Sequence, residues 1–415
     1  MRKKTFGVLM SSLIVTGGRN LSGEIEVSGS KNAALPLIFS TLAINGVSTL
    51  FGVPDISDVN VALEIIQEFG AVVTRSGKTL VIDTRRLEYA EPAAELVAKI
   101  RASTYLLGAS LARFSKAKIY SFGGCNFCDR PIDMHLYAIE ALGGSFDGEN
   151  IFAKRLVGAD IFFEKASVGA TIHTIILASA AEGATQIFGY AREPHVLSLI
   201  SFLRSGGVEI LSRGDYLEIH GGIAASAKIR LVPDMIEAGT YIILSLLTSS
   251  PFLIKGADAG HLSSLLSVLA HAGARFKIND VGIVPYGEIS KPIRFATAPY
   301  PGFPTDLQPQ MAPLLAAFFG GEISELVWES RFGYLSELSN IGLSYEIHGI
   351  TVEIEPSKLS CGVMRAPDLR GGAALLLSSL FTSGDSEIKN AEYIFRGYEN
   401  LEEKLRSLGA IIKRI

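Results

Sequence analysis

The sequence predicts an α/β protein of two similar domains, each assembled from three βα-rich subdomains. Three observations predict it. A glycine-punctuated passage from helix to strand recurs six times, several helices are apolar on every side, and 415 residues suffice for two or three domains.

The six passages are Phe69-Gly70-Ala71-Val72-Val73, Leu142-Gly143-Gly144-Ser145-Phe146, Ser205-Gly206-Gly207-Val208-Glu209, Ala272-Gly273-Ala274-Arg275-Phe276, Ile341-Gly342-Leu343-Ser344-Tyr345 and Leu408-Gly409-Ala410-Ile411-Ile412. Taken from Gly70, Gly143, Gly206, Gly273, Gly342 and Gly409, the spacings are 73, 63, 67, 69 and 67 residues. Each glycine suits the residue just past a helix, where a positive φ is needed, and the residues after it suit a strand. The preceding helices carry an apolar stripe: Val61, Leu63, Ile65, Ile66 and Phe69, or Leu401, Leu405 and Leu408. Thr171–Ala181 and Tyr241–Leu247 are nearly continuous in apolar residues, which predicts helices buried inside their domain. A period near 67 residues exceeds that of solenoid units, so each copy reads as a subdomain, three to a domain. The chain is expected to cross between domains near 229–234 and again near Ser30. That yields one domain of residues 1–30 plus 232–415 and a second of residues 31–231.

Composition narrows the function classes. Lys and Arg number 38 against 42 Asp and Glu, a formal charge of -4, so the chain as a whole has no basic footprint for nucleic acid. Three cysteines argue against a disulfide scaffold. Mean hydropathy of +0.32 reflects buried helices, and no stretch is long and apolar enough to span a membrane. Met1-Arg2-Lys3-Lys4 before the run Phe6–Val15 imitates a secretory leader, but the run is short and no cleavage site follows. It is expected to be a first strand, with a turn at Thr16-Gly17-Gly18 and a second strand at Glu24–Val27. The expectation is a cytoplasmic protein.

Four local patterns could carry chemistry. Ser28-Gly29-Ser30-Lys31-Asn32 delivers Lys31 and Asn32 to the start of an apolar helix, either as solvated residues or as a phosphate or carboxylate site beside the helix dipole. Gly123-Gly124-Cys125-Asn126-Phe127-Cys128-Asp129-Arg130-Pro131 puts Cys125 in a permissive loop near Arg130, a setting for an activated thiol, a Cys-x-x-C pair or a structural cysteine. In Ala298-Pro299-Tyr300-Pro301-Gly302-Phe303-Pro304-Thr305-Asp306, prolines fix a loop ending on one carboxylate, either a rigidly held base or a helix cap. Arg101, Arg331, Arg370 and Arg396 stand beside small residues, each a surface residue alone or together a clamp on an anionic substrate.

Taken in order along the chain, these patterns resemble the UDP-N-acetylglucosamine 1-carboxyvinyltransferase family of enolpyruvyl transferases. The resemblance runs from about Gly17 to Ile415. It rests on Ser-Gly-Ser-Lys-Asn-Ala-Ala at 28–34, Ile-Arg-Ala-Ser at 100–103, Gly-Gly-Cys at 123–125, Arg-Pro-Ile-Asp at 130–133 and Lys-Ala-Ser-Val-Gly-Ala-Thr at 165–171. Ala-Arg-Glu-Pro at 191–194, Phe-Pro-Thr-Asp at 303–306 and Arg-Gly-Tyr-Glu at 396–399 complete it.

The resemblance implies two inside-out α/β domains of three repeats each, with the active site in the interdomain cleft and residues 1–30 plus 232–415 as the catalytic domain. It implies transfer of the enolpyruvyl group of phosphoenolpyruvate to the 3′-hydroxyl of UDP-N-acetylglucosamine, the first committed step of peptidoglycan biosynthesis. No metal or organic cofactor, nucleic acid or membrane is implied. By the same resemblance Asp306 accepts the hydroxyl proton, and Cys125 is the thiol near C3 that fosfomycin alkylates. Lys31, Arg101, Arg130, Arg331 and Arg396 match the cationic ring, with Lys31 and Arg396 placed among the catalytic residues. Asn32 and Asp306 match sugar contacts. Arg130, Pro131, Ile132, Asp133, Lys165, Ser167, Val168 and Gly169 match the nucleotide site, and Val327, Asp368 and Arg370 complete the substrate contacts.

The chain departs from the family pattern at Asn126-Phe127-Cys128-Asp129, His195, Met235 and Gly371-Gly372. Those departures leave two further readings: an enolpyruvyl transferase acting on another nucleotide such as UMP, and a silent sugar-nucleotide-binding paralogue.

Overall fold

The computed structural model describes residues 11–123, 131–222, 224–329 and 331–415. They divide into two compact units. One holds residues up to Val27, Met235–Ala298 and Gly302–Ile415, and the other holds Ser28–Asp234 with Pro299–Pro301.

Each unit repeats one arrangement three times: edge strand, inner helix, central strand, outer helix, glycine, then hairpin, except that the sheet of Lys116–Lys118, Asn150–Phe152 and Ser145–Asp147 has no edge strand among the described residues. In the repeat around residues 160–220, Asp160–Phe162 pairs in parallel with Ala184–Phe188. That strand lies antiparallel to Tyr216–His220, which pairs with Glu209–Arg213. Val168–Ala178 is the inner helix and Pro194–Ser205 the outer one. The same order of pairing recurs around Gly321–Ser324, with Ile293–Ala296 parallel to it, Thr351–Ile354 antiparallel and Tyr345–His348 beyond.

Three repeats are completed by strands distant in sequence. Glu24–Glu26 supplies the parallel edge beside Leu253–Lys255. Leu13–Gly17 sits between Gly384–Lys389 and Ile411–Arg414, taking the place of the hairpin's second strand. Thr16 and Gly17 are therefore strand residues rather than the expected turn, which begins at Gly18. In the other unit, Lys228–Arg230 returns to edge the first repeat beside Val47–Phe51.

All six junction glycines are present, with one correction. Gly70, Gly143, Gly273, Gly342 and Gly409 have φ of +91° to +114°, a region costly for any residue with a Cβ. In the third copy Gly207, at φ +99°, takes this role, while Gly206 keeps φ −90° as the last helical cap. Gly207 thus lies 64 residues past Gly143 and 66 before Gly273.

The inner helices are Lys31–Ser40, Tyr105–Phe114 and Val168–Ala178 in one unit, and Met235–Leu247, Gln308–Ala317 and Leu369–Phe381 in the other. They are buried nearly all round; every residue of Ile236–Leu247 is. Several hydroxyls on helices so enclosed are satisfied by their own backbone. Thr240 donates to the carbonyl of Ile236 at 2.7 Å, Ser378 to Ala374 at 3.0 Å and Ser379 to Leu375 at 2.9 Å. Helices inside and sheets outside are the inside-out arrangement. Gly371 and Gly372 permit close packing in it, since a Cβ at Gly371 would lie 2.9 Å from Tyr334 Cβ and one at Gly372 2.7 Å from Ile394 Cγ1. Among the described residues, no helix is long and apolar enough to cross a membrane.

Candidate active site

Most of the described residues singled out from sequence lie at or just before the first turn of an inner helix. Ser30, Lys31 and Asn32 open Lys31–Ser40, and Arg101 opens the 3-10 turn that runs into Tyr105–Phe114. Lys165 and Ser167 precede Val168–Ala178, which Val168 and Gly169 begin. Asp306 lies in the turn Thr305–Leu307 ahead of Gln308–Ala317, and Asp368 and Arg370 open Leu369–Phe381. Helix N-termini present unpaired N–H groups and positive potential, which suits phosphate and carboxylate.

In the unit that contains the C-terminus, three of these residues converge. Arg331 Nη1 reaches Asp306 Oδ1 at 2.9 Å, while Arg370 Nε and Nη2 reach Asp306 Oδ2 at 3.2 and 3.0 Å. The arginine side chains are only 5% and 4% exposed, against 28% for Asp306, so the two buried cations share the more open carboxylate. Asp306 is no helix cap; Pro304 holds that position. Asp368 is the cap of its own helix, accepting from the N–H groups of Arg370 at 2.8 Å and Gly371 at 2.9 Å, and so fixes the backbone that carries Arg370. The Arg370 guanidinium lies 5.9 Å from the Tyr398 ring centroid. Arg396 stands two residues earlier, directly after the helix Glu392–Phe395. Val327 lies in the turn after Gly321–Ser324, its N–H donated to Glu325 Oε1 at 3.0 Å.

In the other unit, Lys31 Nζ pairs with Asp58 Oδ2 at 3.0 Å and the Lys31 N–H donates to Asp234 Oδ2 at 2.9 Å. Ser30 caps the helix, accepting from the Ala33 N–H at 3.3 Å. Pro131 and Ile132 lead into the helix Asp133–Ala141, and Ser167 caps Val168–Ala178 through the Ala170 N–H at 3.3 Å. The two segments meet at His135, whose Nε2 would lie 3.4 Å from a Cβ built on Gly169.

His135 and His173 face each other edge to face with centroids 5.1 Å apart, both rings buried and their nitrogens without hydrogen-bond partners among the described residues. Burial, with the Arg101 charge as a smaller contribution, pushes His135 down to about 4. Burial pushes His173 well below the ordinary imidazole value.

Cys125 and Arg130 lie outside the described residues, as do Cys128 and the rest of 124–130. Among the described residues no cluster of three or more His, Cys, Asp or Glu is placed to hold a metal. Sequence reasoning missed Asp58, Thr305, Glu325 and the two histidines. Thr305 lay inside the Phe-Pro-Thr-Asp run without being singled out, and Asp58 left a local signal, an acid in the first turn of Ser57–Glu68. His195 is buried in the first turn of Pro194–Ser205, and Met235 begins Met235–Leu247.

The chain matches the family described as EPSP synthase (3-phosphoshikimate 1-carboxyvinyltransferase) over residues 15–405. Curated relatives include UDP-N-acetylglucosamine 1-carboxyvinyltransferases from Halothermothrix orenii and Clostridium botulinum. Each is 39% identical, over 98% of this chain and 100% of the relative. Among solved structures, the enolpyruvyl transferase NikO from Streptomyces tendae superposes with a TM-score of 0.87 at 26% identity, covering 98% of this chain and 99% of that one. An EPSP synthase from Acinetobacter baumannii superposes at 0.74 with 16% identity, over 98% of this chain and 100% of that one, a likeness of fold. A full-length match of sequence and of fold, around an arginine-gripped carboxylate, has one reading: the chain is a transferase and belongs to the enolpyruvyl transferase family.

Proposed function

We propose that this protein transfers the enolpyruvyl group of phosphoenolpyruvate to the 3′-hydroxyl of UDP-N-acetylglucosamine and releases phosphate. The observation that carries the reading is full-length identity of 38–39% to curated enzymes named for that reaction. The geometry supports it: a carboxylate fixed by two arginines in one unit, and a lysine at a capped helix N-terminus in the other. In this reading Asp306 takes the proton of the sugar hydroxyl as its oxygen bonds to C2 and C3 gains a proton. The tetrahedral ketal then loses phosphate to leave the enol ether. Lys31, Arg101, Arg331 and Arg396 act as cations on the phosphate and carboxylate, and Arg370 is a further substrate contact. Asn32 and Asp306 contact the sugar, Pro131, Ile132, Asp133, Lys165, Ser167, Val168 and Gly169 hold the nucleotide, and Val327 and Asp368 are further substrate contacts. Cys125 and Arg130 take the thiol and anion-binding roles of the family pattern. The unit holding Asp306 is the catalytic one, and the reaction opens peptidoglycan biosynthesis in the cytoplasm.

Phosphate release from phosphoenolpyruvate by the purified protein tests this, with UDP-N-acetylglucosamine, UMP or no acceptor in parallel. Release with the sugar nucleotide alone is expected. Release with UMP alone would move the enzyme to another pathway, and silence with every acceptor would refute the reaction.

A further inference from the structure

Glu325 belongs to none of the motifs above, yet it ties them together. It is 0% exposed and follows Gly321–Ser324, a strand paired on both sides and hence a rigid support. Its Oε1 accepts from the Thr297 hydroxyl at 2.7 Å and from the N–H groups of Val327 at 3.0 Å and Trp328 at 2.9 Å. Its Oε2 accepts from the Thr305 hydroxyl at 2.9 Å. Thr305 Oγ1 in turn accepts from Arg331 Nη1 at 3.0 Å, the same nitrogen that reaches Asp306 Oδ1. Thr297 and Thr305 bracket the loop that ends at Asp306, so one carboxylate holds both ends of that loop. Burying a carboxylate is costly, and packing alone would be served as well by an apolar side chain. Four directed bonds, each to a segment beside Asp306, Arg331 or Val327, give that cost a purpose.

We propose that Glu325 is a positioning residue of the reaction: through Thr305 it sets Arg331 against Asp306, and through the N–H groups of Val327 and Trp328 it sets the adjoining turn. This rests on the function proposed above. The chemistry dictates how substitutions act. In Glu325→Gln the amide oxygen must stay on the two backbone N–H groups, which can only donate, so the NH2 turns to Thr305. The Thr305 hydroxyl then receives a donor where it used to give one, and its hold on Arg331 is disturbed without loss of volume. Thr305→Val removes the same link isosterically.

The test is a double-substitution cycle on the full chain, scored by kcat, KM and unfolding. Glu325→Gln and Thr305→Val are each expected to lower kcat about 100-fold while KM for both substrates stays within about threefold. The double variant is expected to be no worse than the poorer single one. Multiplying losses, or KM rising as kcat falls, would overturn the proposal in favour of a merely structural role. Arginine side-chain 15N NMR supplies a readout independent of turnover, with the Arg331 signal assigned through Arg331→Lys. Hindered rotation of the Arg331 guanidinium is expected in the parent and lost in Glu325→Gln; an unchanged signal would also overturn the proposal. A parent protein silent in the acceptor assay would refute the reaction itself, while the NMR comparison would still decide the role of Glu325.

Discussion

The histidine pair makes the stability of one unit depend on pH in a calculable way. His135 and His173 are buried, and both imidazoles titrate far below the 6.5 of a free side chain, His135 at about 4. Below pH 6.5 the unfolded chain takes up a proton at each ring while the folded chain does not. Stability is therefore fully present above that pH and is lost as pH falls towards the folded values. Each ring costs about 1.4 kcal/mol per pH unit in this window, and His135 alone accounts for ~3 kcal/mol by pH 4. Arg101 contributes to the depression at His135, and Asp133 opposes it. Hydrogen exchange of the Val168–Ala178 amides reads the effect locally, once corrected for the pH dependence of intrinsic exchange. The opening free energy should fall between pH 7 and pH 5 by about 2 kcal/mol from His135, with His173 adding in the same direction. In a His135→Leu, His173→Leu variant the slope should be largely abolished. A parent protein with the same opening free energy at both pH values would refute the reasoning, as would a variant that keeps the slope.

Three further substitutions probe the site. Asp306→Ala should cut turnover by roughly 1000-fold while changing UDP-N-acetylglucosamine affinity less than about tenfold; wild-type-like turnover would remove Asp306 from the base role. Asp368→Ala deletes the cap under Arg370 and should cost about 1–2 kcal/mol in urea unfolding together with a fall in turnover; a change in neither would contradict the cap's positioning role. Cys125→Asp should retain activity and lose fosfomycin sensitivity, because a carboxylic acid still donates a proton but is not alkylated. Unchanged sensitivity would end the assignment of Cys125.

Much of the fold was legible because its signals are local. A glycine that must take positive φ after a helix is written into the chain wherever that junction occurs, and six copies expose the repeat. The slip among these glycines, Gly206 for Gly207, arose because adjacent glycines are equivalent as letters and only the path of the chain separates them. Motif positions were legible for a related reason. Lys31, Asp306 and Arg370 sit in short runs beside inner-helix starts, where small residues, prolines and caps mark the backbone.

By itself, then, the sequence determined the sixfold repeat, the buried helices and the residue types of a carboxylate-and-arginine site. Tertiary structure alone decided which of them meet. Asp306 is 25 residues from Arg331 and 64 from Arg370, and Lys31 is 27 from Asp58 and 203 from Asp234. No spacing rule joins such pairs: Asp306 meets Arg370 because the inner helices at whose starts they lie pack together, while Arg331 comes from a turn and Asp58 from an outer helix. Glu325, His135 and His173 were silent for the same reason. A buried polar residue takes its meaning from what surrounds it, and those surroundings exist only once the sheets have closed around the helices.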